Sequence, residues 1–486
     1  MKDDDEYPHF LRDLILSALP EDTSLHGASP KIHEMYLPDA HAKALRPDNM
    51  VVVGIRGSGK SFWWAALQQK RHRSLIGSRA GLNEETRIST GFGEDPRPDD
   101  YPGKDTLLML LKDGRYEPRK VWLTIVLWHI GKDNLPGVFL SLKTWEERVA
   151  WVQENPEPLE RSLYNADQLL INEQRYHLIL FDALDRTADD WETMHKLVRG
   201  LLQVALDIRS YQRIRLKIFV RPDQIEDPAV AAFPDSSKIL TQKTELIWSK
   251  IGLYGLFWQY LANDQKAGND FRQWCANLIT IKWEKQSDVW IIPEEMQRNE
   301  DNQKFIFHKM TGPWMGRDRR RGYPYTWLPN HLGDARGQVS PRSFIKALRY
   351  AAEDKSRPDY SYPLHYESIK RGVQEASRIR VGEIEEDYPW VKTLIEPLNG
   401  RSVPISIQDV NDIWKEESTL TNLEDTIKTE NVRLPPVHLD RGTNGVLDDL
   451  ASLGLIERIS NDRINMPDVY RVGYSLRRKG GVKPIK

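Results

Sequence analysis

The chain has 486 residues, of which 40% are hydrophobic and 29% charged, with a formal net charge of −2. That length predicts two to four domains with sizeable cores, and the near-neutral balance excludes a global basic field for nucleic acid. A single cysteine, Cys275, excludes an intrachain disulfide framework and a cysteine-built zinc site, as expected in a reducing cytosol.

No apolar run approaches 18 residues, so no membrane span is predicted. The acidic start, MKDDDEYPHF, lacks the apolar stretch of a signal peptide, and a cytoplasmic location is expected. The 16 tryptophans lie mostly in apolar contexts and read as core, with ligand stacking as the alternative.

In chain order, residues 1–48 read as an N-terminal arm. Within it LHGASP (Leu25–Pro30) reads as a turn, where His26 is either structural or a contact to a nucleotide base. MVVVGI then suits a buried parallel strand, and KSFWWAALQQKR continues it as a helix. KVWLTIVLWHI (Lys120–Ile130) and YHLILFD (Tyr176–Asp182) read as the second and third strands. Trp191, Met194, Leu197, Leu201, Leu202, Ala205 and Ile208 form one helical stripe. LKIFV (Leu216–Val220) is the fourth strand. Strands alternating with helices predict an α/β fold with a parallel sheet, a core over 49–235 carrying an insertion around 77–169.

A helical lid is predicted over 236–354. It includes ELIWSKIGLYGLFWQYLA (Glu245–Ala262) and SPRSFIKALRYAAED, with Ser340 as N-cap and Pro341 at the first helical position. Between them GRDRRRGYPYTW (Gly316–Trp327) is a basic loop, either solvated with scattered ion pairs or holding a nucleic-acid backbone or an acidic partner. DKSRPDYSYP reads as a break. A polar linker helix is expected in 355–385, roughly Tyr366 to Glu385, and a separate small unit over 386–486.

The chemistry concentrates in VVVGIRGSGKSFWW (Val51–Trp64), which contains Gly-x-x-x-x-Gly-Lys-Ser. Gly54, Gly57 and Gly59 let the backbone bend so that successive N–H groups point inward. The helix beginning near Lys60 adds its positive end. Lys60 is expected to reach the β- and γ-phosphates of ATP and Ser61 to bind Mg²⁺. The nucleotide-binding set is therefore Gly54, Arg56, Gly57, Ser58, Gly59, Lys60, Ser61 and Phe62. LILFDALDR supplies the second acidic strand end: Asp182 contacts Mg²⁺, directly or through water. Asp185 is the candidate general base or water-orienting group, with a turn or N-cap carboxylate as its alternative. Arg186 is either a charge stabiliser or an ordinary ion pair. In KIFVRPDQ, Arg221 either reads the γ-phosphate or pairs with Asp185 or Asp223. Arg342, in the first turn of the SPRSF helix, is expected to sense nucleotide from the lid, and Arg336 in GDARG is its rival.

With Walker A, DALDR, FVRPD and SPRSF in this order, about Met50 to Asp354 resembles the STAND and KAP branches of P-loop NTPases. The lid and terminal unit resemble origin-recognition-type AAA+ proteins. The resemblance implies an ATP-dependent switch, often found in bacterial antiviral defence or with mobile elements, and often oligomeric. Two departures stand out: 122 positions separate Lys60 from Asp182, and Ala183 stands where many AAA+ proteins carry Glu. Slow hydrolysis is expected.

LDDLASLGLIERISNDR resembles winged-helix domains, with SNDRINMPDVYRVGYSL as the turn and return strand of the wing. Arg471, Arg477, Arg478, Lys479 and Lys483 form a basic tail able to neutralise phosphates. The presumed third helix carries Asp448 and Asp449 and no basic residue between Val446 and Leu455, which makes a poor major-groove reader. Protein docking and DNA contact both remain open for this domain. No HExxH, GxSxG or CxxC occurs, so the ATPase is the one catalytic centre expected, with any effector activity on another chain. Three readings follow: a Mg²⁺-dependent ATPase switch with a protein partner; a DNA-binding initiator, loader or mobile-element factor; and a degenerate NTPase that binds nucleotide only for structure.

Overall fold

In the computed structural model, which describes residues 7–21, 29–479 and 481–484, the β-branched run Val51–Val53 (β1) is buried on both faces as an inner strand of a parallel sheet. His26 lies outside the described residues. The other strands are Arg87–Phe92 (β2), His177–Phe181 (β3), Ile214–Val220 (β4) and Thr244–Glu245 (β5), in the order β2-β3-β4-β1-β5. Every pairing is parallel, with Val52 beside Phe219 on one side and Thr244 on the other. All residues of β1 and β3 are buried, as befits strands covered on both faces. This sheet belongs to a compact unit formed by the described part of Leu25–Pro30 and by Leu37–Leu246.

Lys120–Ile130, read from sequence as a strand, is a helix, Pro118–His129. A continuous apolar run does not distinguish a buried strand from a buried helix by periodicity, and Pro118 at the first helical turn favours the helix. Its Trp122 donates to the Leu197 carbonyl at 2.8 Å and meets the rings of Phe92 and Phe181 edge-on. The helix lies close against Trp191–Ile208, where Gly200 leaves room for Pro118 and the Arg119 backbone. Sequence reading missed two strands of this sheet, the short β5 and β2. In β2, RISTGF runs from exposed to buried and lacks clean alternation, because it lies at the sheet edge. The stretch 77–169 thus supplies a strand of the sheet as well as helices. Glu245, read as the start of a helix, ends β5; the helix is Lys250–Ala262, capped by Ser249.

Lys217 of β4 is fully buried, and its ammonium donates to the carbonyls of Ala44 (2.8 Å), Arg46 (2.7 Å) and Asn49. Three acceptors satisfy all three donors, so this lysine ties the segment before β1 to the sheet.

The second unit comprises Lys31–Tyr36 and the described parts of Met1–Ser24 and Ile247–Lys486. Its core gathers Tyr254, Trp258, Phe307, Tyr325 and Phe344 from the helices Lys250–Ala262, Glu300–Thr311, Pro324–Leu332 and Pro341–Glu353. The N-terminal helix Tyr7–Ala18 is fixed here through Arg349, which donates to the carbonyl of Leu16 at 2.8 Å and pairs with Glu21 at 2.9 Å. Ser340 does occupy the N-cap position ahead of Pro341, but its side chain makes no cap hydrogen bond. The predicted polar helix extends over Tyr366–Asp387, and one face of it is buried.

The terminal part contains the helices Trp390–Ile395, Ile407–Glu416, Thr419–Thr429 and Gly442–Ser452. Its antiparallel sheet runs Ile405–Ser406, Arg463–Asn465, Glu457–Ile459. The helix-rich body and two-strand hairpin make a winged-helix domain with one unpredicted helix, Thr419–Thr429. Beyond Met466 the chain does not continue as a strand. Pro467 opens the short helix Asp468–Arg471 instead. Among the described residues no helix is long and apolar enough to cross a membrane.

Candidate nucleotide site

The loop after β1 is held to the sheet by the Gly54 N–H, which donates to the Val220 carbonyl at 3.0 Å. Gly57 and Gly59 have φ of +77° and +105°, a left-handed backbone that side chains resist. A Cβ on Gly54 would overlap the Ser58 hydroxyl. The helix Lys60–Gln68 starts directly behind, so its unpaired first-turn N–H groups belong to the same concavity. Trp63 and Trp64 are buried; Trp63 donates to His41 Nδ1 at 3.0 Å and meets Phe62 edge-on at 5.3 Å. Here the tryptophans are core, anchoring the helix.

Lys60 donates to the carbonyls of Gly54 (2.7 Å) and Ile55 (3.0 Å). Burial pushes its ammonium down to about 8, partly opposed by the Asp182 carboxylate. Asp182 follows β3, with its own N–H on the Phe92 carbonyl at 3.1 Å. Burial raises its carboxyl, while hydrogen bonds from the Ser61 hydroxyl and the Ala183 N–H and the charge of Lys60 pull it back. Lys60, Ser61 and Asp182 therefore converge, although 122 positions separate the first from the last. A hydroxyl beside a carboxylate is a hard-oxygen pair that suits Mg²⁺. Among the described residues no group of three or more His, Cys, Asp or Glu could hold a metal. A divalent ion here would lean on nucleotide phosphates for its remaining ligands.

Ala183 adopts φ +57°, and this turn leads into the short helix Leu184–Arg186. It sets Asp185 at 3.9 Å from the Arg221 guanidinium, which also lies 3.6 Å from Asp223. Arg221 stands just past the end of β4, where its N–H donates to Gln224 Oε1 at 2.8 Å. The charges of Arg221, Asp185 and Asp223 all act on Lys60, so these residues form one cluster. Arg186 points elsewhere, to Glu94 at 2.5 Å, a half-exposed ion pair.

The turn after β2 was not anticipated as part of this end of the sheet. It brings Arg97 to Thr90 (3.0 Å), to Gln68 (3.2 Å) and over the Trp64 ring. The available signal was GFGEDPRPDD, a Gly- and Pro-rich turn.

Arg342 and Arg336 belong to the other unit. Arg342 pairs with Glu383 at 2.6 Å. Arg336 donates to the Ser452 carbonyl, and the neighbouring Ala335 N–H donates to Gly454 at 2.9 Å, joining the lid helices to the winged helix. The expected basic tail is only partly a tail. Arg471 is fully buried and donates to Asp468 (2.7 Å) and to the carbonyls of Leu476 (2.9 Å) and Val482 (2.6 Å). Arg478 bonds Asp468 at 3.1 Å and the Met466 carbonyl at 2.9 Å. Arg477, Lys479 and Lys483 are exposed. On the helix Gly442–Ser452, Asp448 pairs with Arg458 at 2.8 Å and Asp449 with His438 at 2.6 Å.

No protein-family model matches the chain, and no curated protein matches it in sequence. Several solved structures are similar. The Aeropyrum pernix ORC1 protein in complex with DNA is 14% identical, with 93% of each chain covered and a TM-score of 0.34. Cdc6p from Pyrobaculum aerophilum is 11% identical, with 92% of this chain and 94% of that chain covered and a TM-score of 0.31. The Aeropyrum pernix ORC2 protein in ADPNP–ADP complexes is 14% identical, with 90% and 94% covered and a TM-score of 0.30. At such scores the likeness carries nothing about ligands or partners. The molecule's own strand order places β4 between the phosphate-loop strand β1 and the Asp182 strand β3. This is an α/β fold, with a parallel-sheet P-loop core, a helical lid and a C-terminal winged-helix domain.

Proposed function

We propose that the protein is a Mg²⁺-dependent ATPase that works as a regulatory switch. The observation that carries this reading is the convergence of Lys60, Ser61 and Asp182 at the mouth of a glycine-shaped loop. Gly54, Arg56, Gly57, Ser58, Gly59 and Phe62 shape and flank the phosphate cradle, and Lys60 binds the terminal phosphates. Ser61 and Asp182 hold Mg²⁺, which supplies charge neutralisation on the phosphates. Asp185 orients the attacking water. Arg221 positions Asp185 and reads the γ-phosphate, and Arg342 senses nucleotide from the lid. The residue following Asp182 is an alanine in a left-handed turn, so turnover is slow. A protein partner and self-association through the nucleotide face belong to this reading.

Of the two settings, a DNA-binding initiator or loader is better supported than antiviral defence. It accounts for the lid and winged helix in one unit, whereas nothing in the site speaks for the defence role implied by the STAND and KAP resemblance. Asp185→Asn keeps an oxygen that can accept from water but removes the charge. Turnover, followed as phosphate release, is expected to fall about a hundredfold with ATP affinity unchanged. Unchanged turnover would remove Asp185 from this role. Phosphate release with and without duplex DNA tests the setting, and stimulation by DNA is the expected result.

A further inference from the structure

The loop between the helices Glu300–Thr311 and Pro324–Leu332 is rigidly built, yet its charge has no use within the fold. Its two ends are pinned: Met315 is buried and donates from its N–H to the Gly322 carbonyl at 2.9 Å, while Tyr325 is buried and donates to Gln303 at 2.7 Å. Gly312 and Gly322 take φ of +75° and +86° to make the corners. The tip is a single turn, Arg319–Arg321, whose N-cap Asp318 accepts from the Arg320 N–H at 2.9 Å. Gly316 packs on the aliphatic stem of Arg321.

This turn presents Arg317, Arg319, Arg320 and Arg321, all exposed, and none makes an ion pair among the described residues. The span Lys304–Arg321 holds six Lys and Arg against one Asp, in a chain whose net charge is −2. Arginines elsewhere in this unit, such as Arg342, Arg349 and Arg471, have carboxylate partners. Four solvated guanidiniums on one ordered turn repel one another, and a polyanion relieves that repulsion.

We propose that this loop docks the sugar–phosphate backbone of a nucleic acid, without reading sequence. Guanidinium forks match phosphate oxygens in pairs, and the loop's fixed shape removes much of the ordering cost. An acidic peptide would need apolar pockets to set its register. The aromatic group beside the loop is engaged within the fold: Tyr323, although exposed, is stacked on His308, tilted against Trp314 at 4.9 Å and 4.5 Å from the Lys304 ammonium. The inference rests on the DNA-binding reading for the class of ligand, and adds a surface outside the winged helix.

The test uses the full chain and a labelled mixed-sequence duplex, with anisotropy recorded across a salt series. The combined change Arg317→Ala, Arg319→Ala, Arg320→Ala, Arg321→Ala is expected to weaken binding at least about tenfold. It should also flatten the salt dependence by roughly 0.9 logarithmic unit for each phosphate that is no longer neutralised, while ATP binding stays unchanged. A second variant removes charge elsewhere, at Arg477, Lys479 and Lys483, and is expected to lose much less. Equal losses in both variants would overturn the loop as the site. Wild-type binding by the quadruple variant overturns the loop but leaves the DNA-binding reading standing. No duplex binding by the unmodified chain overturns both. Displacement of the duplex by polyglutamate at matched charge would assign the loop to an acidic protein and overturn the nucleic acid.

Discussion

Lys60→Ala is expected to weaken ATP binding about a hundredfold, since a charge-assisted hydrogen bond to phosphate contributes roughly 1.5–3 kcal/mol and more where water is excluded. The ammonium rests on the Gly54 and Ile55 carbonyls. On the proposed reading, ATP would replace those neutral acceptors with anionic ones. The pH dependence sharpens the test. Burial holds Lys60 down to about 8, whereas phosphate contact requires the charged form. Affinity should be flat below that pH and fall about tenfold per unit above it. Stability of the nucleotide-free protein should move the other way. Between about 8 and the ordinary lysine value near 10.4, the unfolded chain binds more protons than the folded one, so the Lys60 contribution rises with pH across that window. In Lys60→Ala both dependences should disappear from the binding and unfolding curves. Wild-type-like ATP affinity in this variant, measured by calorimetric titration, would sink the nucleotide assignment.

The site was legible in the sequence because its chemistry is local. Gly57 and Gly59 need a left-handed backbone that glycine alone adopts cheaply, and Lys60 and Ser61 follow within one helical turn. β3 and β4 were legible as short apolar runs ending in charge, at Asp182 and Arg221. What failed depends on partners distant in sequence. Val121, Trp122, Ile125, Val126 and Leu127 are all buried, so the run that holds them has no polar face to reveal its helical period. β2 carries polar Arg87, Ser89 and Thr90 because one of its edges has no strand neighbour in the sheet. Arg471 reads as surface charge next to Arg477 and Arg478. Only the fold brings the Leu476 and Val482 carbonyls around its guanidinium and makes it structural.

The second large effect concerns two glycines of one helix, Tyr366–Asp387, and separates packing from propensity. Intrinsic preference predicts that alanine at either Gly372 or Gly382 gains roughly 0.5–1 kcal/mol. The surroundings differ. A Cβ on Gly372 would overlap the Ala347 carbonyl oxygen in the partner helix Pro341–Glu353, and that atom is backbone, whereas a Cβ on Gly382 meets nothing within 4 Å. The two helices would have to separate, which loosens the packing of the buried faces around Leu348, Ala351 and Val373. Overpacking of this kind costs about 1–3 kcal/mol, and an immovable backbone oxygen places it at the upper end. Gly372→Ala should therefore lower the urea midpoint of this unit by the equivalent of about 2 kcal/mol after the propensity gain. Gly382→Ala should raise it slightly. Because Arg380 and Glu383 of this helix pair with each other, and Glu383 with Arg342, a shifted helix would also disturb Arg342, the residue proposed to sense nucleotide from the lid. Gly372→Ala is thus expected to reduce any coupling between ATP binding and lid state, and Gly382→Ala to leave it intact. If both substitutions stabilise, the close approach of the two helices is wrong, and with it the account of how Arg342 is held.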